Sequence, residues 1–260
     1  MEIGDWPTTE AEAVAAQERL RGAADATGPG PGPEEARTVA GVDVAYADSR
    51  SGDGEGGGSL LVAAAVVLDV ATLEVVEESV HVGTSTFPYL PGLLAFRELP
   101  SVRAALDGLT HRPDVLVCDG YGLAHPRRAG LAVHLGVLTG IPCFGVAKTP
   151  FVSRFEEPGR ERGAWTPLTL DGERVGRALR TRTGVKPVFV SVGSGISEEN
   201  AAALTLRLTP AYRLPETTRH ADHLAGRRLA KELGEPDGPD GPGGPGGPGG
   251  PGRAPAAGSA

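Results

Sequence analysis

The order of hydrophobic patterns along the chain restricts its possible folds more than any other feature. Three strand-like runs come first, "RTVAGVDVAYA", "LLVAAAVVLDV" and "LEVVEESVHV". Because they are rich in β-branched residues and joined by turn-rich links, they predict an antiparallel meander. The Gly-rich link "DSRSGDGEGGGS" predicts a long, mobile hairpin tip between the first two strands.

After the meander the pattern alternates between helix and strand. A helical stripe runs from Pro91 to Gly108, and a strand, a helix opened by proline and a second strand follow in "PDVLVCDG", "PRRAGLAVHLGVLTG" and "IPCFGVAK". Strand, helix and strand in succession imply a parallel pair. The whole order predicts an α/β fold. It is compatible with a ribonuclease H-like mixed sheet flanked by helices, although order alone leaves other α/β sheets open.

The two ends of the chain have their own signals. Thr9 and Glu12 form a capping-box pattern that predicts a first helix. After a basic, irregular stretch, "RALRT" and "PVFVSVG" predict strands, and two more helices follow, the first opened by Ser197. We expect residues 1–233 to form a single domain. From residue 234 to 260 the run of Gly and Pro cannot bury enough apolar surface to offset its ordering entropy, which predicts a disordered tail.

The chain has no apolar run of membrane-spanning length and no leader-like start, so we expect a cytoplasmic protein with no membrane partner. Cys118 and Cys143 lie in apolar strand-like runs, which predicts buried free thiols.

Charge is unevenly distributed along the chain. The net charge is −8, yet residues 119–190 carry more basic than acidic side chains. This reversal fits a phosphate-binding face, and it fits equally a solvated surface with scattered arginines.

Three carboxylates are candidates for one metal site. Asp43 lies within the apolar strand "AGVDVAY", where an unpaired charge is costly to bury, and Asp119 follows a strand at the edge where α/β ligand crevices lie. If the helix that carries Glu98 packs across them, the three oxygen donors suit Mg²⁺. Lys148 ends the next strand at the same edge and could contact a scissile phosphate. Each residue also has an ordinary role open to it, in a turn, at a strand edge or in solvent.

The segment "GYGLAHPRRAG" after Asp119 predicts a phosphate or base pocket. Gly120 and Gly122 allow close backbone approach to a ligand, while His125 and Arg127 lie at the predicted start of a helix, where anions are favoured. The structural alternative is a capped turn with exposed arginines.

The blocks "VAGVDVAY", "FPYLPGLLAFRE", "DGYGLAHPRRAGLAVHLG", "GVAK" and "RLPETTRHAD" resemble the endonuclease V family in the family's own order, over roughly residues 10–230. The resemblance implies a ribonuclease H-like fold and Mg²⁺-dependent hydrolysis, with Mn²⁺ able to substitute. The implied substrate is inosine-containing DNA, with single-stranded RNA left open, and the implied state is a monomer. The implied cut is at the second phosphodiester bond 3′ to the inosine, which leaves a 3′-hydroxyl and a 5′-phosphate for repair.

The resemblance also assigns roles to individual residues. By motif, the metal-binding carboxylates are Asp43, Glu98 and Asp119, a further acid near the metal is Asp222, and the active-site lysine and histidine are Lys148 and His125.

"PYLP" resembles the wedge of the family, a rigid turn that enters the duplex so that the inosine can leave the stack. Its residues are Pro88, Tyr89, Leu90 and Pro91. An aromatic face can replace a lost stacking partner, and proline keeps the turn ordered before binding. Without the surrounding motifs, Tyr89 would be interpreted as an aromatic side chain packed on the core.

The chain departs from the family pattern at three places: Tyr121 replaces a histidine, Thr217 a second proline, and Ser194 with Gly195 a bulky polar pair. The last change motivates an alternative, a module that captures inosine-containing strands without cutting them. A nucleotide phosphotransferase and a serine hydrolase are poorly supported, because the chain has neither a GxxxxGK[ST] loop nor a GxSxG motif.

Overall fold

The computed structural model describes residues 6–47 and 58–234, which form one eight-stranded mixed sheet flanked by five helices. The strands are β1 (Thr38–Tyr46), β2 (Ser59–Asp69), β3 (Val75–Ser85), β4 (Val115–Cys118), β5 (Cys143–Ala147), β6 (Trp165–Leu170), β7 (Glu173–Leu179) and β8 (Val188–Ser194). The helices are α1 (Glu10–Ala23), α2 (Leu94–Asp107), α3 (Leu131–Thr139), α4 (Glu198–Arg207) and α5 (Glu216–Glu232).

The strands lie in the order β3-β2-β1-β4-β5-β8-β7-β6. The first three strands form the predicted antiparallel meander, and β1, β4 and β5 run parallel to one another. Both topological predictions are therefore confirmed. Because parallel strands end at the same edge, the residues that follow β4 and β5 lie together at one edge of the sheet, beside the last part of β1.

Helices cover both faces of the sheet, and β2 shows how. Its even-numbered residues Val62, Ala64 and Val66 pack in the core that contains α4 and α5, and its odd-numbered Ala63 and Ala65 pack in the core that contains α2 and α3. A strand buried on both faces has a continuous apolar sequence, which is why "LLVAAAVV" shows no polar alternation.

Helix α5 lies unusually close to β1 at Gly41. A Cβ at this position would come within 2.3 Å of the carbonyl carbon of Thr217 in the first turn of α5. Only glycine permits this approach, which brings the next turn of α5 over the strand that carries Asp43.

Helix α1 packs against the segment that joins β3 to α2. Ala13 and Ala16 form an apolar cluster with Phe87, Leu93 and Phe96. The predicted capping box at its start is confirmed, with Thr9 accepting from the backbone of Glu12 and Glu12 accepting from the backbone of Thr9.

Two predicted elements need correction. The predicted strand "RALRT" is confirmed in part as the second half of β7, but the stretch before it, interpreted as irregular, contains β6 and the start of β7. These two strands form a hairpin whose turn residues Asp171 and Gly172 both have positive φ, +52° and +81°. Asp-Gly between strand-like runs is a known hairpin signal that the interpretation missed, and β6 is an edge strand, so its Pro167 costs no ladder bond. Helix α3 begins at Leu131 rather than at the proline of "PRRAG", because the chain turns through Arg128 at φ +54° before entering the helix.

Other predictions have different outcomes. Cys118 and Cys143 are buried and free, as expected. None of the helices in the described part of the chain is long and apolar enough to span a membrane. The predicted hairpin tip falls mostly on residues 48–57, which lie outside the described residues. The predicted tail begins at Gly234, and the rest of it, residues 235–260, also lies outside them.

Candidate active site

Asp43 and Asp119 lie at matching positions of two adjacent parallel strands. Val42 of β1 pairs with Cys118 of β4, so the two aspartates are the next residues along each strand. Burial raises the pKa of Asp43 well above its usual value, and the charges of Asp119, Asp222 and Glu98 raise it further, while the Val44 amide opposes the shift. Four carboxylates are therefore close enough to affect one another.

Glu98 reaches this group from α2 on one face of the sheet. It is only 9% exposed, and burial raises its pKa to about 7. The hydroxyl of Tyr46, the last residue of β1, donates to Glu98 Oε1 at 3.2 Å and lowers that pKa. The guanidinium of Arg97 lies 5.1 Å from the centre of the Tyr46 ring. Sequence reasoning missed Tyr46, although a tyrosine at the end of the strand that carries Asp43 was a usable signal.

Asp222 approaches from the opposite face, on α5. It is exposed, so it forms the rim of the carboxylate group rather than its buried centre. Its charge nonetheless raises the pKa values of both Asp43 and Lys148. The close contact of Thr217 with Gly41 explains how a residue so late in the chain comes to face β1.

Lys148 follows β5 and pairs with Asp119, the residue that follows β4. Its Nζ atom lies 2.7 Å from Asp119 Oδ2. Burial lowers the pKa of the lysine, but the charges of Asp119, Asp43 and Asp222 outweigh burial and raise it. Arg213 donates from Nη2 to the Lys148 carbonyl at 2.5 Å, which fixes the backbone of this residue.

The acidic side chains of the site are oxygen donors, the type of ligand that a hard divalent cation binds, but the structure does not bring three of them within reach of one ion. Among residues 6–47 and 58–234, no three His, Cys, Asp or Glu side chains lie close enough to ligate one ion. Two of the carboxylates have partners within the protein: Asp119 pairs with Lys148, and Glu98 accepts from the Tyr46 hydroxyl. Burial, followed by repulsion from the neighbouring carboxylates, raises the pKa of Asp43, and a cation bound among these oxygens would relieve that repulsion.

His125 contacts the loop before α2. It is buried, its Nε2 lies 3.0 Å from the Gly92 carbonyl, and its Nδ1 accepts from the Arg127 amide at 3.2 Å. These contacts assign the proton to Nε2. Burial, followed by the charge of Arg127, lowers its pKa to about 4, so the ring is neutral at pH 7.

The loop of Pro88 to Pro91 is fixed at its base and exposed at its tip. Phe87 is buried in the cluster with α1, Leu90 is partly buried against that cluster, and Tyr89 is 68% exposed. The two prolines are also exposed. Tyr89 therefore projects into solvent from a well-packed support.

The glycines and the arginine of the predicted pocket have contacts within the protein. A Cβ on Gly122 would lie 2.0 Å from the Val192 carbonyl oxygen, so this glycine is required by packing against β8. Gly120 has no such conflict, and its nearest neighbour is Leu131 at 3.8 Å. Arg127 donates to Gln17 and, at 2.9 Å, to the Gly92 carbonyl. It does not lie at a helix N-terminus, because α3 begins later.

Tyr121 and Phe151 form a stacked pair next to His125. Their ring centres are 5.5 Å apart with an angle of 25° between the planes, and the Tyr121 hydroxyl donates to the Thr149 carbonyl at 2.9 Å. Tyr121 and Phe151 thus provide an aromatic surface near Asp119.

Ser194 and Gly195 lie far from the carboxylates. Ser194 pairs with Cys143 at the start of β5, whereas Lys148 follows the end of that strand. Ser194 Oγ accepts from the Asp25 amide at 3.0 Å, and the Gly195 amide donates to the Asp25 carbonyl at 2.7 Å. These small residues accommodate the segment after α1 at the opposite edge of the sheet.

Comparison with known proteins adds independent information. A family model described as endonuclease V matches residues 25–223. The endonuclease V of Streptomyces avermitilis is 58% identical over 224 residues, which cover 86% of this chain and 94% of the relative. That of Nocardia farcinica is 54% identical over 228 residues, covering 88% and 96%.

Solved structures are similar over the same extent. The crystal structure of the Streptomyces avermitilis protein matches with a TM-score of 0.82 at 56% identity, covering 88% of this chain and 97% of the other. Endonuclease V of Ciona intestinalis, solved in complex with a 24mer DNA containing an inosine followed by a ribo-adenosine, matches with a TM-score of 0.73 at 27% identity, covering 85% and 98%. The predicted ribonuclease H-like fold is confirmed by these neighbours.

Proposed function

The chain belongs to the endonuclease V family, and we propose that it is a metal-dependent nuclease that cuts DNA strands containing inosine. The observation that carries this proposal is that four carboxylates and one lysine lie near enough at one edge of the sheet for their charges to affect one another, although no three of these carboxylates, all in the described part of the chain, are within reach of one ion. Asp43 is affected by the charges of Asp119, Asp222 and Glu98, and Lys148 pairs with Asp119. Such a group is expensive to hold together unless it binds a cation.

In this proposal Asp43, Glu98 and Asp119 hold Mg²⁺, and Mn²⁺ substitutes for it. When bound, the cation stabilises the negative charge that develops on phosphate oxygens during hydrolysis. The fit is supported by the oxygen-only donor set and by the raised pKa values of Asp43 and Glu98. Asp222, at the exposed rim, adds charge to the same site.

The other residues of the site orient and stabilise the reacting groups. The Lys148 ammonium provides a positive charge for the scissile phosphate, and Arg213 fixes its backbone. Tyr46 orients Glu98 through its hydroxyl. His125 is neutral and bound to the Gly92 carbonyl, so we assign it to support of the loop rather than to proton transfer.

Tyr89 is the proposed wedge. Its exposed ring stands on a loop with a buried base, which suits a side chain that takes the place of an unstacked base. The Ciona intestinalis relative was crystallised with inosine-containing DNA. By extension we propose inosine-containing DNA as the substrate here, with single-stranded RNA as a further candidate.

We propose that the cut falls at the second phosphodiester bond 3′ to the inosine, which leaves a 3′-hydroxyl and a 5′-phosphate and so initiates repair. The proposed enzyme is a monomer acting in the cytoplasm. The alternative of capture without cleavage rested on Ser194 and Gly195. Since these residues contact the segment after α1 at the far edge of the sheet, we favour cleavage.

The test uses end-labelled duplexes that differ by one inosine for adenosine, with Mg²⁺, with Mn²⁺ and with chelator. A metal-dependent cut one nucleotide beyond the inosine, absent from the adenosine duplex, would establish the reaction and its specificity. Retained inosine-dependent binding with no cut in either metal would favour the capture module. The same assay on inosine-containing single-stranded RNA decides whether RNA is also cut.

A further inference from the structure

Gln17 is a buried amide on α1, outside the carboxylate site. It is 1% exposed, and all its polar atoms are bonded. Nε2 donates to the carbonyl oxygens of Gly92 at 2.8 Å and Ala129 at 3.0 Å, and Oε1 accepts from Nε of Arg127. One side chain therefore connects α1, the loop before α2 and the loop before α3.

The Gly92 carbonyl is the centre of this network. Its oxygen accepts hydrogen bonds from Nε2 of Gln17 at 2.8 Å, Nη2 of Arg127 at 2.9 Å and Nε2 of His125 at 3.0 Å. Gly92 directly follows the exposed loop of Pro88 to Pro91 and has a φ of +80°. Three donors on one carbonyl fix both the position and the orientation of the peptide at the end of that loop.

Gln17 adds polar contacts to a helix whose neighbouring buried residues make apolar ones. Ala13 and Ala16 on the same helix form an apolar cluster with Phe87 and Phe96. Burying an amide costs free energy unless every polar atom is hydrogen-bonded. Because hydrogen bonds are directional, the bonded amide of Gln17 restrains the relative position of α1 and the loop more tightly than apolar packing alone would.

We propose that Gln17 is a positioning residue that fixes the Gly92 peptide. By fixing this peptide it sets the direction in which Tyr89 projects, and so contributes to the selection of inosine. This inference rests on the proposed function for its consequence in catalysis, but the anchoring itself can be measured without substrate. Gln17 acts through the loop and not on the reacting atoms.

Two variants and a control test the anchoring. Gln17→Glu keeps the acceptor for Arg127 but turns a carboxylate oxygen toward the two carbonyls, and Gln17→Leu removes all three bonds. Leu20→Ala on the same helix removes a buried apolar side chain and leaves the network intact. If either Gln17 variant fails to fold, Arg127→Met is the substitute, because it removes the side chain that donates to Gln17 at a position that is only half-buried.

The first readout is amide hydrogen exchange over residues 87–94, with thermal unfolding as the measure of overall stability. We expect exchange in this loop to accelerate about tenfold or more in the Gln17 variants, as the loss of two or three buried hydrogen bonds predicts. Leu20→Ala should lower the melting temperature without this local effect. Unchanged loop exchange in folded Gln17 variants, or equal acceleration in Leu20→Ala, would overturn the proposal.

The second readout is cleavage of inosine and adenosine duplexes. The Gln17 variants should lose about tenfold in kcat/KM on the inosine duplex, mainly through KM, because the carboxylates are untouched. An equal loss of kcat/KM in Leu20→Ala would show that Gln17 contributes only to overall stability, which would overturn the proposal. If the unaltered protein does not cut at inosine, the proposed function fails, and the exchange experiment still decides whether Gln17 anchors the loop.

Discussion

The Nζ atom of Lys148 lies 2.7 Å from Oδ2 of Asp119, each residue immediately following one of two adjacent parallel strands. The pair lies beside Asp43 and within the influence of Asp222, so the lysine offsets part of a strongly negative group. In the proposed reaction this ammonium would supply positive charge for the phosphate.

Replacing Lys148 should therefore affect turnover more than binding. We expect Lys148→Ala to reduce the rate of inosine-directed cleavage by about 100-fold or more, the range for loss of one electrostatic stabiliser. Affinity for the inosine duplex in Ca²⁺ or chelator should change by only a few fold. Lys148→Arg keeps the charge and serves as the control. A fully active alanine variant would exclude Lys148 from the reaction.

Replacing Asp43 should abolish cleavage and stabilise the metal-free fold. Because burial and three neighbouring carboxylates disfavour its ionised form, Asp43→Asn should raise the melting temperature in chelator at pH 8, by the equivalent of about 1 kcal/mol. Glu74→Gln removes the same charge at an exposed position and is the matched control. A less stable but active Asp43→Asn variant would contradict both parts.

Divalent cations should stabilise the protein through the same carboxylates. Mg²⁺ at about 100 times its dissociation constant should add about 2.7 kcal/mol to the free energy of unfolding. We expect this gain in the unaltered protein and not in Asp43→Asn, measured by thermal unfolding with and without chelator. An equal gain in both proteins would place the bound ions elsewhere.

The hydroxyl of Tyr46 should matter to the reaction independently of its ring. Tyr46→Phe keeps the ring beneath Arg97 and removes only the hydrogen bond to Glu98. We expect about a tenfold loss of kcat, the equivalent of about 1.4 kcal/mol. The melting temperature should also fall, because the lost bond to a buried carboxyl contributes to stability. Cleavage kinetics at saturating Mg²⁺ measure the effect, and unchanged kcat would leave Tyr46 with a packing role only.

The wedge role of Tyr89 predicts a difference between duplex and single strand. Tyr89 is mostly exposed, so Tyr89→Ala should leave stability unchanged. Cleavage of an inosine duplex should fall about tenfold or more, from the loss of one stacking contact, while an inosine single strand should be less affected. Equal losses on both substrates would point to a general binding contact instead of a wedge.

His134 should make the fold sensitive to mild acid. It is 0% exposed, neither ring nitrogen has a hydrogen bond of good geometry, and its ring centre lies 4.9 Å from that of Phe96. Burial, followed by the charge of His125, lowers its pKa to about 3, and the nearby Ala129 backbone opposes this shift only in part. The folded state therefore keeps this ring neutral, whereas the unfolded chain binds a proton below its ordinary pKa of about 6.5.

The contribution of neutral His134 to the free energy of unfolding is therefore fully present above about pH 6.5. It decreases as the pH falls and is about 2 kcal/mol smaller at pH 5. His134→Leu should lose less stability than the unaltered protein between pH 7.5 and pH 5, with His125 unchanged in both. Urea unfolding at the two pH values measures the difference. Equal losses would show that His134 is solvated or bonded in solution.

Local sequence patterns were sufficient for most of the fold. The meander, the parallel pair and the helices that begin after Thr9 and Ser197 follow from periodicity and capping over short windows. The turn between β6 and β7 was also encoded locally, in Asp171 and Gly172, but only the second half of β7 was predicted, and β6 was missed among basic residues.

By itself, the sequence determined the order of the elements and nominated Asp43, Glu98, Asp119, Lys148 and Asp222 by residue type, position and family resemblance. Tertiary structure alone decided that Tyr46 contacts Glu98, that Gly122 packs on β8, that Ser194 lies at the opposite edge and that Gln17 binds the Gly92 carbonyl. The physical reason is that backbone preferences act over a few residues, so the local sequence is enough to predict them. The partners of a buried polar group depend on strand register and helix packing between residues that lie far apart in the chain.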